Sequence, residues 1–310
     1  MRSEAIAPDR TLSWATPPDG AAAPPPPMSE PGETDAASVP TSPGPETSDV
    51  GGAIESPAVD AAVLPSPDAV SGDGEPAVDA RSVPPGLLPP LVTAGPVDLR
   101  RGRAGHWRLD ETRGNAVADS SAIGNHGGTV GIVNEDWRPG RLGNGLSFTP
   151  ARRSFVAIGA HETLSPPRAL SIAAWANARA WEGSPCLVQK GDLDQQYGLI
   201  VQDGRLQFFV RLAGGFVARA TGPVPPAGQW VHLTGVYDGE AAHLFVDGQA
   251  VARVPAPGRP LPTYQNLSIG GRAATATASE FFAGLLDEVL LYDRALALEE
   301  IALLAAGQVP

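Results

Sequence analysis

Hydrolysis of a glycosidic bond needs two carboxyl groups held at a set separation across the bond, so the acidic pairs are the first residues to weigh. Asp287 and Glu288 are neighbours in the apolar run LLDEVLLY. Alternation along a strand sends neighbours to opposite faces. Asp192 and Asp194 share a face by spacing but stand in a stretch that reads as a loop, and Glu299-Glu300 fall on an amphipathic segment near the C-terminus. All of these read as solvated or turn carboxylates. His232, flanked by Trp230 and Val231, reads as a hydrogen-bonded core histidine before a base. Cys186, the single cysteine, is followed by Leu187 and Val188. It reads as a small buried residue with nothing beside it to activate a thiolate, and it excludes an internal disulfide. No Ser-His-Asp, Cys-His or His-rich metal spacing can be assembled.

Binding is the other class of chemistry. A sugar offers an apolar ring face and many hydroxyls, so its site pairs an aromatic plane with planar polar groups. Outside the clear core pattern the aromatic candidates are Trp181, Tyr197, Phe216 and Tyr264. Trp181 stands in the loop-like run AWEGS, and the expectation is that it lines a ligand groove with Tyr197 and Phe216. The loop Asp119–Gly127 (DSSAIGNHG) concentrates oxygen-bearing side chains and glycine. Calcium takes about six to eight oxygen ligands, and Asp119 and Asn125 supply two. Asp287 closes the shell if the first and last strands meet. The competing reading is an Asx-type turn at Asp119 with no metal.

These residues need a scaffold, and residues 230–253 (WVHLTGVYDGEAAHLFVDGQAVAR) show its type. Val231, Leu233 and Tyr237 fall on one face and Trp230, His232, Thr234 and Val236 on the other, with Asp238-Gly239 and Asp247-Gly248 as turns. Two hairpins in so short a span mean antiparallel sheet. Further short strands follow the same rule at 155–158, 170–177, 187–191, 197–202, 206–210 and 267–271. Residues 295–306 carry the spacing of a short helix closed by Gly307. At least one of Trp175 and Trp230 is expected to be buried.

Composition divides the chain. Residues 1–100 hold 20 of the 33 prolines, a single aromatic (Trp14), and 15 acids against 4 bases; residues 101–310 hold 19 acids against 18 bases. A stretch of the first kind cannot bury enough apolar surface to offset chain entropy. Residues 1–97 therefore read as a disordered acidic Pro/Ala-rich tail, and residues 98–310 as one domain. The near-neutral domain offers no basic footprint for nucleic acid. No apolar run is long enough to span a membrane, and the N-terminus lacks an apolar run of signal-peptide length.

In order along the chain, HWRLDE (106–111), DSSAIGNHG (119–127), GRLGNGLSF (140–148), SIAAW (171–175), WVHLTGVYDG (230–239), LFVDG (244–248), LSIGG (267–271) and FFAGLLDEVLLYDR (281–294) resemble the laminin-G-like, concanavalin A-like lectin/glucanase jelly-roll family. The resemblance spans about residues 104–308. It implies an all-β antiparallel β-sandwich with a short C-terminal helix, and an extracellular or cell-surface setting. It also implies a non-catalytic module binding a glycan or a protein surface. The glycoside hydrolases of the fold carry paired carboxylates as E-x-D-x-E on one strand, a run missing here; a hydrolase or lyase with another site, or a structural adhesion module, are the alternatives. Members often hold a structural calcium ion.

Overall fold

A computed structural model describes residues 97–192, 194–273 and 278–310. The tail expected over residues 1–97 lies outside them, except for Val97.

In chain order the strands are β1 (Arg103–Trp107), β2 (Ala116–Val117), β3 (Gly127–Val130), β4 (Trp137–Pro139), β5 (Asn144–Phe148), β6 (Phe155–Ile158), β7 (Leu170–Ala178), β8 (Cys186–Lys190), β9 (Tyr197–Gln202), β10 (Arg205–Arg211), β11 (Val217–Pro223), β12 (Val231–Tyr237), β13 (Ala241–Val246), β14 (Gln249–Pro255), β15 (Leu267–Ile269) and β16 (Gly284–Tyr292), followed by one helix, α1 (Leu298–Ala305). They form two antiparallel sheets. The first runs β14-β13-β12-β7-β16-β5-β4, with β1 paired to the far half of β16; the second runs β11-β10-β9-β8-β15-β6-β3-β2. The all-β sandwich and its C-terminal helix are as the sequence indicates.

The alternation of β12 explains the packing. Val231, Leu233 and Tyr237 point into the core between the sheets. Val236, on the other face, joins Ala173, Phe245, Leu290 and Tyr292 in a second cluster that α1 covers with Ile301 and Leu304. The helix lacks a side-chain N-cap at Ala297. Glu300 compensates by accepting the Ala297 amide at 3.0 Å and binding Arg294, and Gly307 in the left-handed conformation closes the helix. Trp175 is 4 % exposed, while Trp230 is only half-buried.

Asp247-Gly248 and Asp203-Gly204 both take positive φ at each residue, the geometry of tight hairpin turns. Alternation fails at Asp287-Glu288. Glu288 takes φ 49°, and the register with β7 shifts between Asp287 and Leu290. A bulge leaves both acids buried, instead of sending one inward and one to solvent.

Candidate functional site

The second sheet carries polar side chains on the face turned away from the core. Cys186, Ile200 and Phe209 form a small apolar floor there, joined by Val217. Arg219 sets its guanidinium 5.4 Å from the Phe209 ring centre, reaches Gln207 at 3.3 Å, and pairs with Asp194. Two segments raise the walls. One is residues 180–185, turned by Gly183 at φ 72°. The other wall is formed by Arg272 and Ser279-Glu280, where the Arg272 and Ser279 amides bond each other's carbonyls at 2.8 and 2.9 Å. That tie brings Arg272 against Glu280, with Nη2 at 3.0 Å and Nη1 3.5 Å from Asp192.

Between these walls lies a cavity of about 110 Å³ lined by Ser184, Gln189, Asp194, Ile200, Gln202, Arg272 and Glu280. A second cavity, about 350 Å³, shares Ser184 and Glu280 with it and continues past Glu182, Pro185 and the Phe281 ring to Pro150. The two adjoin at these shared residues, and together they are called the groove below. Phe281 is half-buried, with the Arg153 guanidinium 5.5 Å from its centre and Phe155 behind it at 6.3 Å. Glu280 stands at the junction with φ 54°, a backbone region that non-glycine residues rarely occupy and that gathers at functional positions. Burial raises its carboxyl above the usual range; Arg272 opposes the shift, and Asp192 and Asp194 add to it. Guanidinium, carboxyl and amide planes beside an aromatic ring can bind vicinal hydroxyls and one ring face of a sugar.

The expected trio does not converge. Trp181 sits in the wall loop, but its ring is half-buried and packs on Phe282 at 5.9 Å, at the edge of the core. Tyr197 is fully buried and donates its hydroxyl to the Leu164 carbonyl at 2.8 Å. It pairs with Lys190 at the end of β8 opposite Cys186 and the groove. Alternation placed its ring inward, so it cannot line a surface. Phe216 is 58 % exposed in the β10–β11 turn. The loop was legible but the ring was not. The groove's aromatic is Phe281, and the pair Phe281-Phe282 carries the missed signal: with Phe282 buried in the core, its neighbour must face away.

Of the three residues expected around calcium, Asp119 and Asn125 meet in one loop, and Asp287 is bonded to another. Asp119 Oδ1 accepts the His106 and Ser121 amides at 2.8 Å each, and its Oδ2 accepts Ser121 Oγ and the Asn125 amide at 2.7 Å each. That is the Asx-type turn, with both oxygens spent on the protein. Asn125 donates its side-chain amide to Ala104 O and Thr163 Oγ1, both at 2.9 Å. Asp287 Oδ2 accepts the Arg141 and Leu142 amides at 2.7 and 2.8 Å, in a different loop. Among the described residues no group of three or more His, Cys, Asp or Glu side chains is placed to hold a metal ion.

His232 lies edge-on to Trp175 at 5.1 Å and burial lowers it to about 3, so the imidazole is neutral. The Cys186 thiol is pushed up, chiefly by burial and then by Glu280. Neither is poised for chemistry.

Residues 151–302 match the Laminin_G_3 family model, described as the concanavalin A-like lectin/glucanases superfamily. That match covers all strands from β6 onward and the groove's lining except Pro150. None of the curated proteins matches the chain. Among solved structures, the chain resembles the binding domain of Paraclostridial Mosquitocidal Protein 1 (TM-score 0.55, 14 % identity, 68 % of this chain and 53 % of that one). It also resembles the botulinum neurotoxin serotype C1 binding domain (TM-score 0.54, 10 % identity, 68 % and 53 %). A third is domain 4 of AbnA, an extracellular GH43 arabinanase of Geobacillus stearothermophilus, in complex with arabinotriose (TM-score 0.53, 18 % identity, 66 % and 98 %). The chain thus spans about half the length of the toxin domains and nearly all of the arabinanase domain. At these identities the likeness is one of fold. No helix among the described residues is long and apolar enough to cross a membrane.

Proposed function

We propose that this concanavalin A-like domain is a non-catalytic carbohydrate-binding module whose ligand lies in the groove between Phe281 and Gln202. The observation that carries the reading is that two adjoining cavities share Ser184 and Glu280 as lining residues. An oligosaccharide can rest one sugar on Phe281 and offer the next one's hydroxyls to Arg272, Glu280 and Gln202. Two supports come from outside the chain. The arabinanase domain of the same fold is seen with arabinotriose, and the toxin domains are named as binding domains. An extracellular setting fits, since the arabinanase is itself extracellular.

A hydrolase reading has one observation in its favour: Glu280, with its raised carboxyl, shares a cavity with Asp194. Against it, each carboxylate is tied to an arginine, Glu280 to Arg272 and Asp194 to Arg219. A general base must be within reach of a water and not locked in an ion pair. The full chain on a glycan array, alongside Phe281→Ala and Arg272→Ala, tests the proposal. Saturable binding by the parent and loss in both variants supports it. Binding unchanged in both, or no binding to any glycan, removes the groove as a sugar site. Release of reducing ends from a bound glycan moves the hydrolase reading ahead.

A further inference from the structure

A third cavity, of about 320 Å³, lies where the chain enters the domain, between residues 100–104 and the 3-10 turn Glu162–Leu164. It shares no residue with the groove. Its entry wall is anchored: Tyr292 donates its hydroxyl to Leu99 O at 2.9 Å, and Arg294 donates to the carbonyls of Asp98 and Arg101 at 2.9 Å each.

The feature that asks for a purpose is Arg103. Its Nη1 lies 3.0 Å from His106 Nδ1. A guanidinium only donates, so Nδ1 must be the acceptor and the imidazole proton sits on Nε2. That Nε2–H donates to Glu288 Oε2. His106 and Glu288 are each 1 % exposed. Two buried polar side chains thus stand behind one arginine, with the other Glu288 oxygen 3.5 Å from Arg108 Nε, a costly arrangement for a surface residue. The rest of the Arg103 guanidinium makes no hydrogen bond within the described residues, and its Nε is buried without a partner.

Four charged residues line this cavity, Arg100, Arg103, Glu162 and Asp293, and among the described residues none has an ion-pair partner within 4.0 Å. Ile123, 46 % exposed, and Pro166 give the cavity an apolar side. Two unpaired cations and two unpaired anions in one cavity suit neither a simple anion nor a simple cation. They suit a ligand that brings a carboxylate for the arginine fork and hydroxyls to donate to the acids.

We propose that this cavity binds a hydroxylated carboxylic acid of about the size of one sugar acid. Arg103 and Arg100 take its carboxylate, Glu162 and Asp293 accept its hydroxyls, and Ile123 and Pro166 cover its apolar face. His106 and Glu288 are positioning residues that set the Arg103 fork, which recognises a planar carboxylate through two parallel bonds. The site stands whether or not the groove binds glycans.

The test is a titration of the full-length protein with glucuronate, glucose and acetate at constant ionic strength, following the arginine side-chain N–H signals by NMR. Glucuronate should shift the Arg103 signal saturably, while glucose and acetate each lack half of the required contacts and should not saturate over the same range. Arg103→Lys keeps the charge but loses the fork, and should weaken glucuronate by roughly tenfold or more, the worth of one charge-assisted contact. Phe281→Ala should leave this binding unchanged. No saturable shift with glucuronate in the parent overturns the proposal, as does equal saturation by acetate, which would mean plain charge attraction. Undiminished binding in a folded Arg103→Lys variant overturns it too.

Discussion

Replacing Asp287 with Asn should flatten the pH dependence of stability, and the size of the effect follows from the site. Asp287 is fully buried on β16. Its Oδ2 accepts the Arg141 and Leu142 amides, while its Oδ1 is buried with no partner. Two effects compete. Amide donors favour the ionised form; burial beside Glu288 favours the neutral one. The Arg141 guanidinium does not arbitrate, since it stacks over Trp175 at 4.6 Å. Burial is the larger effect and raises the carboxyl from 3.8 to about 7, with the Glu288 charge adding to the rise and the backbone amides of Leu142, Arg141 and Glu288 opposing it.

The folded state therefore keeps its proton where the unfolded state has lost it. The stabilisation is fully present below about pH 4 and is lost as pH climbs through 7. About three pH units at about 1.4 kcal/mol each is roughly 4 kcal/mol, a large share of an ordinary domain's stability. Asn keeps an oxygen for both amides and carries no charge at any pH. Urea unfolding of the parent and Asp287→Asn, at steps from pH 4 to 8, reads the difference between them. Groups that titrate alike in both cancel. The variant's stability relative to the parent should climb by several kcal/mol across that range. A difference that stays flat, or that moves the other way, would show the amide bonds outweighing burial and would refute the reasoning.

Two further outcomes follow from local geometry. Gly270 takes φ +80°, and a Cβ there would lie 2.2 Å from the Phe148 ring; Gly270→Ala combines left-handed strain with overpacking and should cost about 2–5 kcal/mol in urea unfolding, against under 1 kcal/mol if the ring can step aside. Because Asp119 already spends both oxygens on the protein, metal-stripped protein should melt at the same temperature in Ca²⁺ and in EDTA; a Ca²⁺-dependent rise of several degrees that Asp119→Ala abolishes would restore the calcium site.

What was legible in the sequence, and what was not, divides along physical lines. Hairpins and core faces were legible because Asp-Gly turns and two-residue alternation are local. Trp175 and Tyr237 fell into place by that rule. Asp287 and Glu288 broke it, because a bulge changes the count of residues and leaves no mark in their types. Tyr197 is no ligand contact for a local reason: it alternates with Leu199 and Val201, and all three point into the core. Arg272 and Glu280 are near neighbours in the chain, as are Arg103 and His106, but Glu288 reaches His106 from the last strand and Gln202 and Asp194 meet Arg272 from other elements. Only the fold brings these distant partners together, so neither the groove nor the Arg103 cavity had a local signal beyond the adjacent rings of Phe281 and Phe282.

The central claim is that the groove through Ser184 and Glu280 holds the ligand. Chemical-shift mapping of the full-length protein, with the tightest-binding oligosaccharide from the glycan array, tests it directly. The account predicts that the largest shifts fall on Ser184, Gln202, Arg272, Glu280 and Phe281, with Phe216 and Tyr264 unmoved. Shifts centred on the exposed rings Phe216 and Tyr264, with the groove residues silent, would contradict it.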